Sequence, residues 1–306
     1  MSTALQHLVR NMLALAIAPS PDRQALYIVE EDEGSLTQAL VKGGEPGVRE
    51  EIAEDVKPGT PALYLVVDGK EEEERLVLFL DESNELYCCR YNSESYEWEE
   101  WEFEGISTPL AVHPETRLSG FSNPNETKVV YQTPTLELQM MSMRNGRWMT
   151  GETVPVEAQA GTPHATVDSP DQIHVFYVRK DNQIGHAVQQ YATGDWKDTV
   201  IQNSAFDKRI SHFLAVPVDA QGSFDMYAAA GDRLVHIDAN GKRQELGTIK
   251  EGRLIPSTGD ECAPCVTWVF TFASFLIGFS FGSQHLQSSG VVQGPGPSVP
   301  LVGGEF

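Results

Sequence analysis

Cysteine and positive charge are what this chain has least of. Only 4 cysteines occur in 306 residues, two of them adjacent (Cys88, Cys89) and two as a CxxC (Cys262, Cys265). Neighbouring residues of a strand point to opposite faces, so Cys88 and Cys89 do not readily bond to each other. The CxxC has no second CxxC and no His pair to complete a zinc site, and no βαβ context for redox chemistry. Buried thiols or one disulfide are the readings that remain. Lys and Arg number 22 against 44 Asp and Glu, a formal net charge of −22. Such a surface repels phosphate backbones and anionic lipid heads, so neither nucleic acid nor membrane is expected as a partner. The acidic runs, such as 30–33, 71–74 and 97–102, read as solvated loops and protected strand edges, and no loop has calcium-ligand spacing.

Catalytic signatures are missing too. There is no Gly-x-Ser-x-Gly elbow, no HExxH, no Gly-rich phosphate loop and no His/Cys cluster at ligand spacing, so no cofactor and no metal are expected. A hydrolase whose carboxylates come from different strands would leave no local motif. No stretch of helical period runs longer than a turn or two. The apolar run 12–18, after Arg10, resembles the start of a secretion signal but continues into a strand pattern. The uncharged run 266–281 is short for a membrane span and reads as two buried strands. Asn125-Glu126-Thr127 is a glycosylation sequon that keeps a secretory route open beside a cytoplasmic one.

What is present is repetition. In 174–196 an apolar run (Val175, Phe176, Tyr177, Val178) meets a Lys-Asp-Asn-Gln turn, and a second run from Ile184 closes on Gly-Asp-Trp, which is a β-hairpin pattern. The second strand of this hairpin has counterparts at Leu36, Leu86, Leu138, Leu234 and, less well, Leu286, at steps of 50, 52, 46, 50 and 52 residues. Apolar runs precede each anchor, at 25–29, 75–80, 128–132, 174–178, 224–230 and 275–281. A period near fifty with two or more strands per unit predicts an all-β fold, a six-bladed β-propeller with five clear blades and a degenerate C-terminal one. The expected organisation is one propeller domain over 1–287, with 262–287 completing the ring beside a first strand near 13–18. A Gly/Pro/Ser-rich tail follows over 288–306.

The hairpin shape, with its turn and terminal Gly-x-Trp, resembles the blades of fungal fucose-specific lectins, six-bladed propellers of similar length, over roughly 12–250. That resemblance implies three residues per sugar site: an Arg opening the hairpin's first strand, a Glu two places past the anchor, and an aromatic residue from a neighbouring blade. Counting ten back from the anchors gives Leu26, Leu76, Lys128, His174, Phe224 and Leu276. Counting two forward gives Gln38, Cys88, Met140, His186, His236 and Ser288. Neither Arg nor Glu remains, although Glu137 and Arg75 lie close. Losing both polar prongs removes the hydrogen bonds that supply sugar affinity.

In its fold and in these lost sites the chain is also similar to the fungal hetero-Diels–Alderases of tropolonic sesquiterpenoid pathways. This second resemblance implies a biosynthetic enzyme that orients a hydrophobic small-molecule substrate for cycloaddition. The alternative is a lectin-like module of altered or lost fucose specificity. His174 and His186 are the expected catalytic donor/acceptor pair, and Tyr177, Trp196 and Trp148 the expected substrate-binding aromatics, although Tyr177 should point away from the face of Phe176 and its neighbours. The sequence leaves the oligomeric state open.

Overall fold

The computed structural model of the protein describes residues 3–20, 24–43, 45–67, 74–106, 109–219 and 222–257. It is an all-β propeller. Blade 1 is β1 (Ala16–Pro19), β2 (Ala25–Asp32), β3 (Ser35–Lys42) and β4 (Glu45–Ala53); blade 2 is β5 (Ala62–Val67), β6 (Glu74–Leu80), β7 (Leu86–Asn92) and β8 (Glu97–Glu100). Blade 3 is β9 (Ser119–Ser122), β10 (Thr127–Gln132), β11 (Leu138–Arg144) and β12 (Arg147–Val154); blade 4 is β13 (His164–Asp168), β14 (Gln172–Val178), β15 (Ile184–Gln190) and β16 (Trp196–Val200). Blade 5 has a fifth strand: β17 (Ile210–Pro217), β18 (Phe224–Ala230), β19 (Arg233–Ile237), β20 (Arg243–Lys250) and β21 (Arg253–Pro256). Each blade is an antiparallel meander in sequence order. The first strands of successive blades lie side by side around the axis. The expected sixth blade and tail, with Cys262 and Cys265, lie outside the described residues.

The residues that repeat in sequence are those that hold blade to blade. Leu36, Leu138, Ile184 and Leu234 are fully buried and Leu86 is nearly so, each at or beside the start of its blade's third strand. A sheet covered on both faces needs middle strands apolar on both sides, and β6 and β14 are accordingly buried almost throughout. The outermost strands β4, β8 and β16 are mostly exposed, and β4 and β8 carry several of the acidic residues. Cys88 and Cys89 are free, buried thiols on opposite faces of β7, one packed toward blade 3 and the other toward blade 1.

Every described blade after the first enters its inner strand through a hydroxyl that clamps the end of the second strand. Thr60 Oγ1 accepts from Leu80 N at 2.8 Å, Thr116 from Gln132 N at 2.7 Å and Thr162 from Val178 N at 2.8 Å, while Ser211 Oγ donates to Ala229 O at 3.3 Å. The three threonines are buried, so deleting one hydroxyl would strand a backbone N–H at a cost of about 1–3 kcal/mol.

One expectation needs correcting: residues Thr3–Leu13 form a helix, α1. Leu5, Leu8, Val9 and Met12 follow the i, i+3, i+4, i+7 spacing of one helical face and are buried against Tyr227, Ala229, Leu234, Leu246 and Leu254 of blade 5. The apolar run 12–18 is therefore split between the end of α1 and β1. The Gln6 amide locks the helix down, donating to Leu254 O at 2.7 Å and accepting from Leu254 N at 3.1 Å, as a neighbouring strand would.

The hairpin turns at 81–85, 133–137 and 179–183 all place their fourth residue in the left-handed region: Asn84 at φ 63°, Leu136 at 71° and Asn182 at 61°. Asn tolerates that conformation, whereas for Leu it costs about 1 kcal/mol or more. We expect Leu136→Asn to raise stability by about 0.5–1 kcal/mol, read as a higher denaturant midpoint at unchanged m value. A lower midpoint would show that the Leu136 side chain supplies compensating contacts.

Candidate functional site between the blades

The residue four places before the one that pairs with a blade's anchor and the residue two places past that anchor lie diagonally across the hairpin on one face. In blades 1 to 4 that face is the one that meets the next blade. In blade 4 they are His174, opposite Val188, and His186, opposite Phe176. The same diagonal holds Leu76/Cys88 in blade 2 and Lys128/Met140 in blade 3. In blades 1 and 5 a fixed count of ten misplaces the first member. Their turns hold one residue fewer between paired strands, with Glu31 opposite Leu36 and Ala229 opposite Leu234. The diagonal pairs there are Tyr27/Gln38 and Asp225/His236, not Leu26 and Phe224.

These positions differ in chemistry. Leu76 and Cys88 are sealed in apolar packing with Trp148 and Met141. Lys128 pairs with buried Glu126 at 3.2 Å, and Arg144 grips the same carboxylate at 2.6 Å. His236 Nε2 meets Asp225 Oδ2 at 3.0 Å and its ring stacks on Tyr227.

His174 and His186 touch: Nδ1 of one lies 3.0 Å from Nε2 of the other, and Ser169 Oγ lies 3.2 Å from His174 Nε2. The His186 ring stacks on Phe176 with centroids 4.3 Å apart, and Phe224 packs against both histidines. Burial pulls His174 down to about 4. Burial, with its neighbour His174, pulls His186 down to about 3, so the pair is neutral at pH 7. His174 is 2 % exposed, and three of the four ring nitrogens of the pair are engaged within the protein.

The other expected site residues lie elsewhere. Tyr177 is on the opposite face of β14, fully buried toward blade 3. Its hydroxyl donates to Asp198 Oδ2 at 2.9 Å, beside Arg179, at the edge of an open depression of about 320 Å³ lined by Arg179, Asp198 and 153–157. Its ring crosses Gly185, where a Cβ would come within 2.4 Å of it, so any side chain at that position would have to displace the Tyr177 ring. Trp196 packs on that same side and donates its indole N–H to Glu152 at 3.2 Å. Trp148 is fully buried between blades 2 and 3 against Phe103. The five residues thus fall into three separate places.

The position between blades 1 and 2 is one the sequence reading did not single out. Tyr27 stacks on Tyr64 with centroids 5.3 Å apart and planes 7° apart, and Trp98 stands edge-on to Tyr64 and Tyr91. The Arg75 guanidinium lies 3.4 Å from the Tyr91 ring centroid and within 6 Å of Tyr27 and Trp98. Burial pulls Arg75 down, but Tyr64 and Tyr27 outweigh it and leave the group raised. Tyr64 donates to Gln38 Oε1 at 3.0 Å, and Gln38 donates to Glu50 at 2.6 Å. Gln38 and Tyr64 are buried, whereas Tyr27, Arg75, Tyr91 and Trp98 are half-buried around them. Trp98 Nε1 is buried with no acceptor among the described residues. Flat walls, a guanidinium, an amide and a carboxylate here surround one inter-blade position. The clue in the sequence was Arg75, but its partners become visible only once blade 1 faces blade 2.

Among the described residues no helix is long and apolar enough to cross a membrane, and no group of His, Cys, Asp and Glu has metal-ligand geometry. No family model matches the chain, and no curated protein matches it significantly. Solved structures do. The Aleuria aurantia lectin, described as a six-bladed β-propeller with a novel fucose recognition mode, superposes with a TM-score of 0.61 at 17 % identity, over 79 % of this chain and 80 % of that one. AofleA from Arthrobotrys oligospora gives 0.61 at 18 % identity over 79 % and 74 %. A lectin from Burkholderia pseudomallei gives 0.56 at 19 % over 77 % and 69 %. What is shared is the propeller fold.

The buried neutral histidines make stability depend on pH. An unfolded histidine titrates near 6.5, and His164, His174 and His212 fold at about 4 and His186 at about 3. Between these values the unfolded chain binds protons that the folded one refuses, so stability is intact above pH 6.5 and falls as pH drops toward 4. His186→Gln can still bond His174 but cannot charge. Relative to wild type it should gain about 2 kcal/mol on going from pH 7 to pH 5. Denaturant unfolding at both pH values checks this, and parallel losses in the two proteins would remove His186 from the account.

Proposed function

We propose that this propeller is a carbohydrate-binding module of altered specificity whose principal site is the aromatic and guanidinium-lined position between blades 1 and 2. One observation carries the reading: Tyr27, Arg75, Tyr91 and Trp98 form a half-buried aromatic and guanidinium cluster that joins, through Tyr64, the Gln38–Glu50 pair. Sugar rings present apolar C–H faces that aromatic walls cover, and hydroxyls that guanidinium, amide and carboxylate groups bond in pairs. The fold likeness to fucose-binding propellers favours a sugar over other polyhydroxylated ligands. By strand register none of the five described diagonals pairs an Arg with a Glu, so affinity for free fucose should be feeble.

The cycloaddition reading draws on the replaced positions Leu76/Cys88 and on the neutral His174/His186 pair. Leu76, Cys88 and His174 are all at most 2 % exposed, and the histidines satisfy each other. Packing is the simpler role for these groups, and the binding reading is the better supported of the two.

A glycan array with the whole protein should yield a ligand that Arg75→Met and Trp98→Ala each bind about tenfold or more weakly. This is the loss expected from one charge-assisted hydrogen bond or one stacking wall. Fucose titrated by calorimetry to millimolar concentration should give no saturable heat. An array without any ligand, or one whose ligand both variants bind like wild type, would sink the proposal, and micromolar fucose binding would mean that another diagonal serves as the site.

A further inference from the structure

The hydroxyls that clamp blades 2 to 5 put the next residue of each of these blades in the same place, at the entrance of an inner strand beside the propeller axis. In blades 2 and 4 that residue is proline, Pro61 and Pro163, following Thr60 and Thr162. In blade 3 it is Arg117, following Thr116, and in blade 5 it is His212, following Ser211. The scaffold therefore does not require a cation there. The main chain at Arg117 is held rigidly, its carbonyl accepting from Thr116 Oγ1 at 2.9 Å and from His164 Nε2 at 2.8 Å. Because that carbonyl can only accept, the His164 proton sits on Nε2, and Nδ1 receives the Ser119 hydroxyl at 2.7 Å.

The Arg117 side chain is half-buried, and its guanidinium donates to no acceptor among the described residues. Arg209 reaches the same entrance from blade 5, donating to Ala160 O at 2.9 Å and to Glu115 Oε2 at 3.2 Å. Lys57 extends toward it from blade 2, bonding Asn84 Oδ1 at 2.6 Å and the Pro114 carbonyl. Burial first, then the like charge of Arg209, disfavours the charged form of Arg117, and Glu115 only partly opposes them. Burial and Arg117 together lower His212 to about 4. Three cations thus converge on one carboxylate in a chain of net charge −22, at a spot where two sister blades carry proline. A partly desolvated guanidinium that shares a single carboxylate with two other cations is costly unless a further anion completes it.

We propose that this entrance binds a small oxyanion group, a carboxylate or a phosphate of a soluble ligand, with Arg117 as the principal donor and Arg209 and His212 flanking it. A planar guanidinium in a fixed backbone setting suits two-pronged capture of such a group. The site lies at the entrance of the inner strands, whereas the inter-blade position lies where Tyr27 opens β2, so the two proposals stand or fall separately.

Calorimetry with inorganic phosphate in one arm, and with glucuronate against glucose in the other, tests this on the full chain at low ionic strength. Phosphate or glucuronate should bind saturably at millimolar concentration and glucose should not. Arg117→Pro, which installs the residue of the sister blades, should weaken the anion about tenfold or more. Arg117→Met serves as a second variant should proline disturb the entrance, with unchanged far-UV spectra confirming the fold. Binding of phosphate alone would assign the group to a phosphate, and binding of glucuronate to a carboxylate. No saturable heat with either anion, or equal affinity in a folded variant, would overturn the proposal.

Discussion

Two-sided burial is the constraint on which the rest of this structure depends. A propeller blade has a neighbour on each face, so its middle strands cannot alternate apolar with polar as a half-exposed sheet does. They must be apolar on both sides over most of their length, and β6 from Leu76 and β14 from Val175 are. Leu36, Leu86, Leu138, Ile184 and Leu234 recur because each fills the same place in one blade-to-blade layer. The adjacent cysteines follow the same rule, since a strand buried on both faces accepts a small apolar thiol on each side.

That constraint also decides where polar chemistry can occur. With the faces filled, polar groups are confined to the outer strands, the turns, the ends of the inner strands and the places where hairpin diagonals meet the next blade. At those diagonals the protein has used one geometry five ways: an apolar seal, an ion pair, a neutral imidazole pair, an imidazole–carboxylate pair, and an aromatic cluster around Arg75. Where no polar partner was supplied the position became core, and between blades 1 and 2 several aromatic rings, a guanidinium, an amide and a carboxylate meet at one place.

The strand pattern of β14 and β15, the spacing of the anchors and the opposed cysteines were legible in the sequence, because each depends on a local alternation or on a repeat that packing imposes directly. The closeness of His174 and His186 was legible too, since it follows from one hairpin. The helix was missed although Leu5, Leu8, Val9 and Met12 carry its spacing. The run 12–18 reads as one strand until α1 is seen to end within it. Counting from anchors misplaced Tyr27 and Asp225 because two turns are one residue shorter, and a one-residue slip moves a side chain to the other face of the sheet.

By itself the sequence determined the all-β class, the repeat near fifty and the identity of the buried middle strands, since these express a period that every blade must satisfy. Only the tertiary structure decided which residues of different blades meet. Tyr27 faces Arg75 and Trp98, Trp148 is sealed between blades 2 and 3, and Tyr177 packs against Phe121 and Val130 of blade 3. Arg117 and His212 share a position that proline holds in blades 2 and 4. Such meetings depend on how whole sheets stack around an axis, across dozens of residues of intervening chain, and no local pattern of residues encodes that stacking.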